Sequence, residues 1–167
     1  MNTSPYRSAL VFVGKVAIAH VVSYFVVGAL AYQILTRPFY EGSDALFASF
    51  MRTPADPEGF SHISRWFLPA QLARGLLLGA ALAPFRKSLL AWPRPRRFLA
   101  LFGLAVVFLF WSAAVAAPGT IEGLVYLRPE FTWAVHFRVQ PELLLQLASF
   151  SAWVAWWAGP LPQPRAA

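Results

Sequence analysis

Four long apolar stretches divide this chain, and segments rich in polar residues, glycine and proline separate them. The apolar stretches are residues 8–35, 65–85, 98–117 and 141–158, and the segments between them are 36–64, 86–97 and 118–140. A helix needs about 20 apolar residues to cross the hydrocarbon core of a bilayer, and each stretch is close to that length. The pattern therefore predicts an all-α integral membrane protein with four transmembrane helices in one domain, residues 1–158. The proline-containing tail, 159–167, is predicted to be disordered.

The first apolar stretch has a rival interpretation as a cleaved secretory signal. Its sequence Ala29-Leu30-Ala31 resembles a cleavage site with small residues. However, the stretch is longer than the hydrophobic region of about 7–15 residues found in signal peptides, and polar His20 and Ser23 interrupt it. These features favour a retained membrane span.

The segment 86–97 predicts the direction in which the helices cross the membrane. It contains five of the fourteen lysine and arginine residues, and Pro93 and Pro95 prevent one helix from continuing through it. Since cytoplasmic loops are enriched in Lys and Arg, we expect this segment and both termini to be cytoplasmic, in an up-down bundle in the plasma (inner) membrane. All seven acidic residues then fall on the outer side: Glu41, Asp44, Asp56, Glu58, Glu122, Glu130 and Glu142.

Local signals add detail to the connecting segments. The loop 36–64 is longer than most connections and is predicted to hold a short helix near 44–51. Segment 118–140 mixes aromatic and charged residues, so we expect it to lie in the membrane interface. Pro69 and Pro141 are predicted to lie near the starts of their helices, where a missing N–H does least harm.

The composition agrees with a lipid environment. Hydrophobic residues make up 58% of the chain and charged residues 13%, against about 45–50% and about 25% in soluble domains. The net charge of +7 could suggest nucleic acid, but the cations cluster beside the apolar stretches. The lipid bilayer explains that charge better, and no nucleic-acid partner is predicted.

No cofactor and no metal site is predicted. The absence of cysteine excludes disulfides, thiolate nucleophiles and Cys-ligated metals. His20 could bind haem only with a second intramembrane histidine, which the apolar stretches do not contain, so a packing role with a hydrogen bond is favoured. Asp56, Glu58 and His62 could approach a metal together with His136, but their irregular loop fixes no geometry.

The two halves of the chain resemble each other. In each half, an Arg-Pro follows the first apolar stretch, and a His, an Arg and a Pro lie before or at the start of the second. These residues are Arg37, Pro38, His62, Arg65 and Pro69 in the first half, and Arg128, Pro129, His136, Arg138 and Pro141 in the second. Two parallel two-helix repeats would explain the pattern, and chance is the alternative, because Arg and Pro are common at interfaces. A true repeat would gather Arg37, Arg128, His62 and His136 into an outward-facing pocket for a phosphate, a carboxylate or a lipid headgroup.

Arg74 is the most informative single residue, because it lies about nine residues into the second apolar stretch. An arginine there costs at least about 2.5–3.5 kcal/mol and should face protein or water. Gln71 lies one turn earlier on the same helix, and Glu122 in the second outer loop is the preferred counter-ion. Three interpretations stay open: an anchor for an anionic substrate, an Arg74–Glu122 clamp that holds the loop, and a side chain that snorkels to the outer interface. The clamp is favoured.

Gly75, Gly79 and Ala83 repeat at four-residue spacing along the same stretch. Small residues in this register allow two helix backbones to approach closely. The spacing suits packing within the chain and dimerisation equally well.

The sequence contains no recognisable catalytic nucleophile–base pair and no catalytic residue is assigned. The pattern favours a small non-catalytic multi-pass membrane protein, an accessory, scaffold or assembly subunit, with a membrane-protein partner or a second copy as its neighbour. The alternative is binding or transport of an anionic or lipid ligand at the outer Arg/His pocket. A weaker alternative is a membrane enzyme that acts on lipid headgroups.

Overall fold

The computed structural model describes residues 5–42, 45–54, 56–110, 116–120, 123, 127 and 129–157. These residues form helices and turns without any strand, so the predicted all-α class is confirmed. The helices are α1 (Pro5–Ala31), α2 (Arg37–Tyr40), α3 (Pro57–Leu82), α4 (Arg86–Ala91), α5 (Arg94–Ala105) and α6 (Trp133–Trp157). Turns of π-helix cover Tyr32–Thr36 and Val106–Phe110, and turns of 3-10 helix cover Leu46–Ser49 and Ala83–Phe85.

Helix α1 packs against both α3 and α6, and it runs antiparallel to each of them. Along α3, Gln71 lies beside His20 and Gly79 lies beside Val13, so the residue numbers rise in opposite directions. Along α6, contacts run from the N-terminal half, where Glu142 meets Thr36, to the C-terminal end, where Trp157 meets Lys15.

Helix α5 packs against α6 at the end of the molecule that contains Lys15 and Trp157. Arg97 near the start of α5 contacts Ala155 near the end of α6, so these two helices are also antiparallel. The helix–helix packing therefore follows the order α3, α1, α6, α5, and over the described residues α3 shares no substantial contact with α5 or α6. This order leaves α3 and α5 at the two ends of the row.

The buried apolar core lies where α1, α4, α5 and α6 converge. Its members share almost complete burial and come from distant parts of the chain: Phe12, Val16, Ala19, Leu89, Leu101, Phe150 and Val154. This core stabilises the end of the molecule that contains the basic segment 86–97. At that end of the molecule, the helices are therefore held together by apolar packing.

Two helical segments of the described chain are long and apolar enough to cross a membrane, Tyr6–Tyr40 and Phe60–Ala91. Only 28% and 17% of their most apolar windows are buried inside the protein, whereas the core helix of a soluble protein is mostly buried. Helix α6 has 25 residues but is not among them. Its polar residues, which include Glu142 and Gln146, lower the mean hydropathy.

The helices extend beyond the apolar stretches, and this overturns one prediction about proline. Pro69 and Pro141 lie inside α3 and α6 rather than near the helix starts. Each removes one backbone hydrogen bond, but packing against α1 continues through these helices and holds them together.

Two other local predictions agree with the structure. The helical path between the second and third apolar stretches breaks at Trp92 and Pro93, where prolines were expected to interrupt it. The short helix expected near 44–51 is a single 3-10 turn, Leu46–Ser49, whose Phe47 is buried. The tail 159–167 lies outside the described residues.

Candidate functional site

Glycines of the small-residue motif form a close contact between two helices. A Cβ atom at Gly75 would lie 2.9 Å from Ala17 Cα, and one at Gly79 would lie 2.9 Å from Val13 Cα. Real Cβ atoms do not approach a backbone so closely, which explains why glycine occupies both positions. Ala83, the third member, lies half-buried in the following 3-10 turn. The motif therefore packs α3 onto α1 within this chain.

One turn away, a partly buried polar pair joins the same two helices. His20 Nε2 and Gln71 Oε1 are 3.2 Å apart, and the ring donates because an amide oxygen only accepts. The His20 ring also lies against the rings of Tyr24 and Phe150. Gln71 is therefore used within the chain, and His20 has the packing role that its sequence position favours.

Arg74 lies on the exposed side of α3, close enough to His20 and Tyr24 for its charge to act on both. Among the described residues, no side chain or backbone group forms a hydrogen bond or an ion pair with it. Glu122, its predicted counter-ion, lies outside the described residues. The clamp between them is therefore still a prediction.

At the start of α2, Arg37 is already paired. Arg37 Nε donates to Glu41 Oε2 at 2.8 Å, and the Tyr32 hydroxyl donates to the other oxygen of the same carboxylate. The hydrogen bonds from Tyr32 and Arg37 lower the pKa of Glu41. Arg37 thus belongs to a local cluster on one helix end.

His136 is almost fully buried and holds the turn at Gly119 against α6. Its Nδ1 accepts a hydrogen bond from Gly119 N–H at 2.9 Å, while Gln140 Nε2 donates to Gly119 O at 3.3 Å. Gly119 adopts φ +88°, a left-handed conformation that suits glycine. Burial lowers the pKa of His136, partly offset by a hydrogen bond with the Phe131 backbone. His136 therefore has a structural role in holding this turn.

The described residues of the predicted outer pocket do not bind one another. Arg37 pairs with Glu41, and His136 pairs with the backbone of Gly119. His62 is exposed on the first turns of α3, and Arg128 lies outside the described residues. Each described member thus stands in its own local environment, and the pocket itself is still a prediction. No group of three or more metal-ligating side chains occurs in the described part of the chain.

A carboxylate that sequence reasoning treated only as an outer charge takes part in helix packing. Glu142 is half-buried between α6 and the end of α1. Thr36 Oγ1 donates to Glu142 Oε2 at 3.4 Å, and Gln146 Nε2 donates to Glu142 Oε1 at 3.1 Å. Two turns along, Ser149 and Ser23 hydroxyls are 3.1 Å apart. A polar line therefore runs along the α1–α6 contact.

Arg97 is the second residue whose role the sequence did not reveal. Its side chain is 2% exposed, although it belongs to a run of basic residues. The guanidinium donates to four carbonyl oxygens, those of Leu89, Leu90, Trp92 and Ala155, at 2.7–3.1 Å. Lys15 Nζ donates to Trp157 O at 3.2 Å and lies over the Trp157 ring. Both cations thus bind carbonyls near the end of α6.

No protein-family model matches the chain, and no curated protein or solved structure is significantly similar to it. The fold and the contacts of the described side chains are therefore the basis of every functional inference below.

Proposed function

We propose that this protein is a four-span membrane protein with both termini in the cytoplasm, and that it serves as a non-catalytic accessory or assembly subunit in the plasma (inner) membrane. Its two apolar helical segments and the antiparallel order of its four long helices support the membrane part of the proposal. The basic segment 86–97 and the acid-rich outer loops support its orientation.

One observation carries the subunit role. Three pairs of polar side chains join the helices by hydrogen bonds: His20–Gln71, Ser23–Ser149 and Thr36–Glu142. Interhelical hydrogen bonds of this kind hold membrane helices together. Groups that are engaged in this way stabilise a scaffold and are not arranged as an acid–base pair around a substrate.

The packing order supports the same conclusion. Helices α3 and α5 lie at the ends of a row, and each presents large exposed apolar side chains, such as Leu77 on α3 and Leu99 on α5. In a membrane these faces contact lipid or another protein. A row with two free ends gives an assembly subunit two surfaces on which neighbours can pack.

Two measurements test the proposal. The natural chain has no cysteine, so single-cysteine variants can be labelled with an impermeant maleimide. We expect Glu58→Cys to react in intact cells and Arg94→Cys to react only after permeabilisation. Equal accessibility of both positions would contradict the orientation.

The subunit role is tested by native mass spectrometry after extraction in lipid nanodiscs. We expect the chain to remain in a defined complex with another membrane protein. Recovery as a monomer that carries a stoichiometric anionic small molecule would instead support the ligand-binding alternative and contradict the subunit role.

A further inference from the structure

Arg74 lies at the middle of a candidate membrane span and is exposed. It is nine residues after Arg65 and eleven residues before Phe85, the limits of the apolar stretch 65–85. At about 1.5 Å per residue, the two ends are about 13 Å and about 16 Å away along the helix axis. Half of the hydrocarbon core is about 15 Å thick, which is longer than an extended arginine side chain. Snorkelling therefore does not bring the whole guanidinium into water.

The described part of the chain offers Arg74 no compensating group. No described residue accepts a hydrogen bond from it or forms an ion pair with it. Its neighbour Gln71 is turned toward α1 and bound to His20. An arginine at this depth costs at least about 2.5–3.5 kcal/mol when it faces lipid, so a partner that supplies an acceptor would recover a large free energy.

The surface around Arg74 has the form of a helix-packing face. Ala70, Arg74, Leu77 and Ala81 follow one another at four- and three-residue spacing, and all four are exposed. Alanine on each side of the arginine allows another helix backbone to approach closely. This face points away from the glycines that pack on α1, and over the described residues no other helix packs substantially on it.

We propose that this face of α3 binds a transmembrane helix of a different protein that carries an aspartate or glutamate near its midpoint. The inference rests on the proposed subunit role and names the surface through which that role is carried out. The carboxylate would accept hydrogen bonds from the Arg74 guanidinium and form an ion pair with it, an interaction that buried arginines prefer. The alanines and Leu77 would pack against the backbone and apolar side chains of that helix.

A second copy of this chain fits the face less well. Glu142 is the one acidic residue inside a predicted span, and it lies at the level of Gly28 on α1. Gln71 and Gly75, which flank Arg74 on α3, contact α1 at His20 and Ala17. The eight residues between His20 and Gly28 correspond to about 12 Å along the helix. The charges of two aligned copies would therefore lie at different depths.

Site-specific cross-linking in the native membrane tests the inference. A photoreactive maleimide on Leu77→Cys probes the proposed face, and the same probe on Leu99→Cys of α5 probes the opposite end of the row. We expect Leu77→Cys to cross-link a transmembrane helix with a mid-span Asp or Glu. Arg74→Gln should lower the yield about tenfold, which corresponds to about 1.4 kcal/mol, while Arg74→Lys should retain most of it.

Two matched controls make the result specific. Arg65→Gln removes an exposed arginine from the same helix nine residues nearer the outer end, and it should leave the cross-link unchanged. Arg74→Asp should abolish the cross-link, and replacement of the partner's acidic residue by arginine should restore it. In the purified full chain, Arg74→Gln should leave the thermal stability unchanged, because no described contact is lost.

Several results would overturn the inference. Cross-links only to lipid, only to a second copy, or only to residues 121–126 of the same chain would do so, and so would a yield that Arg74→Gln does not change. If Leu99→Cys captures a partner and Leu77→Cys does not, the subunit role stands and the Arg74 surface is wrong. If neither position captures a protein, the subunit role itself fails.

Discussion

Arg97 Nη1 donates a hydrogen bond to Ala155 O at 2.7 Å, although 58 positions separate the two residues. The carbonyls near the end of a helix lack intrahelical partners and carry partial negative charge. One guanidinium therefore satisfies a carbonyl of α6 and three carbonyls of the segment that contains α4. The start of α5 is thereby fixed to the ends of two other helices.

Replacement of Arg97 should destabilise the protein strongly. Hydrogen bonds to charged groups contribute about 1.5–3 kcal/mol each, so Arg97→Met should lower the free energy of unfolding by about 3 kcal/mol or more. Arg97→Lys should recover only part of this, since an ammonium lacks the planar fork that reaches several carbonyls. Unfolding in SDS–detergent mixtures measures the change. Arg94→Met, which removes an exposed cation from the same segment, should stay within about 0.5 kcal/mol of the wild type.

The contrast between Arg97 and its neighbours shows where sequence reasoning stops. Arg94, Arg96 and Arg97 belong to one basic segment, and only the last is buried. Hydropathy and charge identify the helical stretches and the break at Pro93, because these depend on local composition and proline chemistry. Which cation is buried depends on how α5 packs against α6, and the local sequence pattern does not predict that packing.

The same limit applies to Glu142 and to the glycine motif. The spacing of Gly75 and Gly79 predicted a close helix contact but could not identify α1 as the partner. Glu142 was assigned to the outer side by its position, whereas its hydrogen bonds to Thr36 and Gln146 depend on the antiparallel packing of α1 and α6. The prediction that Pro69 and Pro141 lie near helix starts is wrong for a related reason: tertiary packing lets α3 and α6 continue as helix through these prolines.

Added methyl groups should distinguish the packed glycines from a free one. Gly75→Ala and Gly79→Ala place a Cβ 2.9 Å from the backbone of α1, so each should lower the free energy of unfolding by about 1–3 kcal/mol. Gly103→Ala is the control, because nothing lies within 4 Å of its Cβ. Alanine is the better helix former, and this variant should be stabilised by up to about 1 kcal/mol. Equal effects at all three positions would contradict the α1–α3 contact.

Acidification should loosen the turn at Gly119 through His136. Its Nδ1 accepts the Gly119 N–H, and protonation would place two donors against each other. Since burial lowers the pKa of His136 in the folded protein, the unfolded chain binds more protons near its ordinary pKa of about 6.5. The free energy of unfolding should therefore fall as the pH drops from about 6.5 through the lower folded pKa. It should be fully recovered when the pH returns above about 6.5.

Comparison of variants isolates the contribution of His136. His136→Gln should reduce the slope of stability against pH in this window. Hydrogen exchange of the Gly119 amide provides a local reading: its protection factor, which corrects for the pH dependence of the intrinsic exchange rate, should be smaller at the lower pH. An unchanged slope in His136→Gln would contradict the assigned hydrogen bond.

Truncation of Glu142 should weaken the contact between α1 and α6. Its carboxylate accepts hydrogen bonds from Thr36 and Gln146, and both donors lose their acceptor in Glu142→Ala. A buried donor without a partner costs about 1–3 kcal/mol, so the free energy of unfolding should fall by about that amount. Glu130→Ala removes an exposed acid and should change it by less than about 0.5 kcal/mol. A double-mutant cycle tests the hydrogen bond to Thr36. If Thr36→Val changes the free energy of unfolding by the same amount in the wild type and in Glu142→Ala, the two side chains are not coupled and the hydrogen bond between them is refuted.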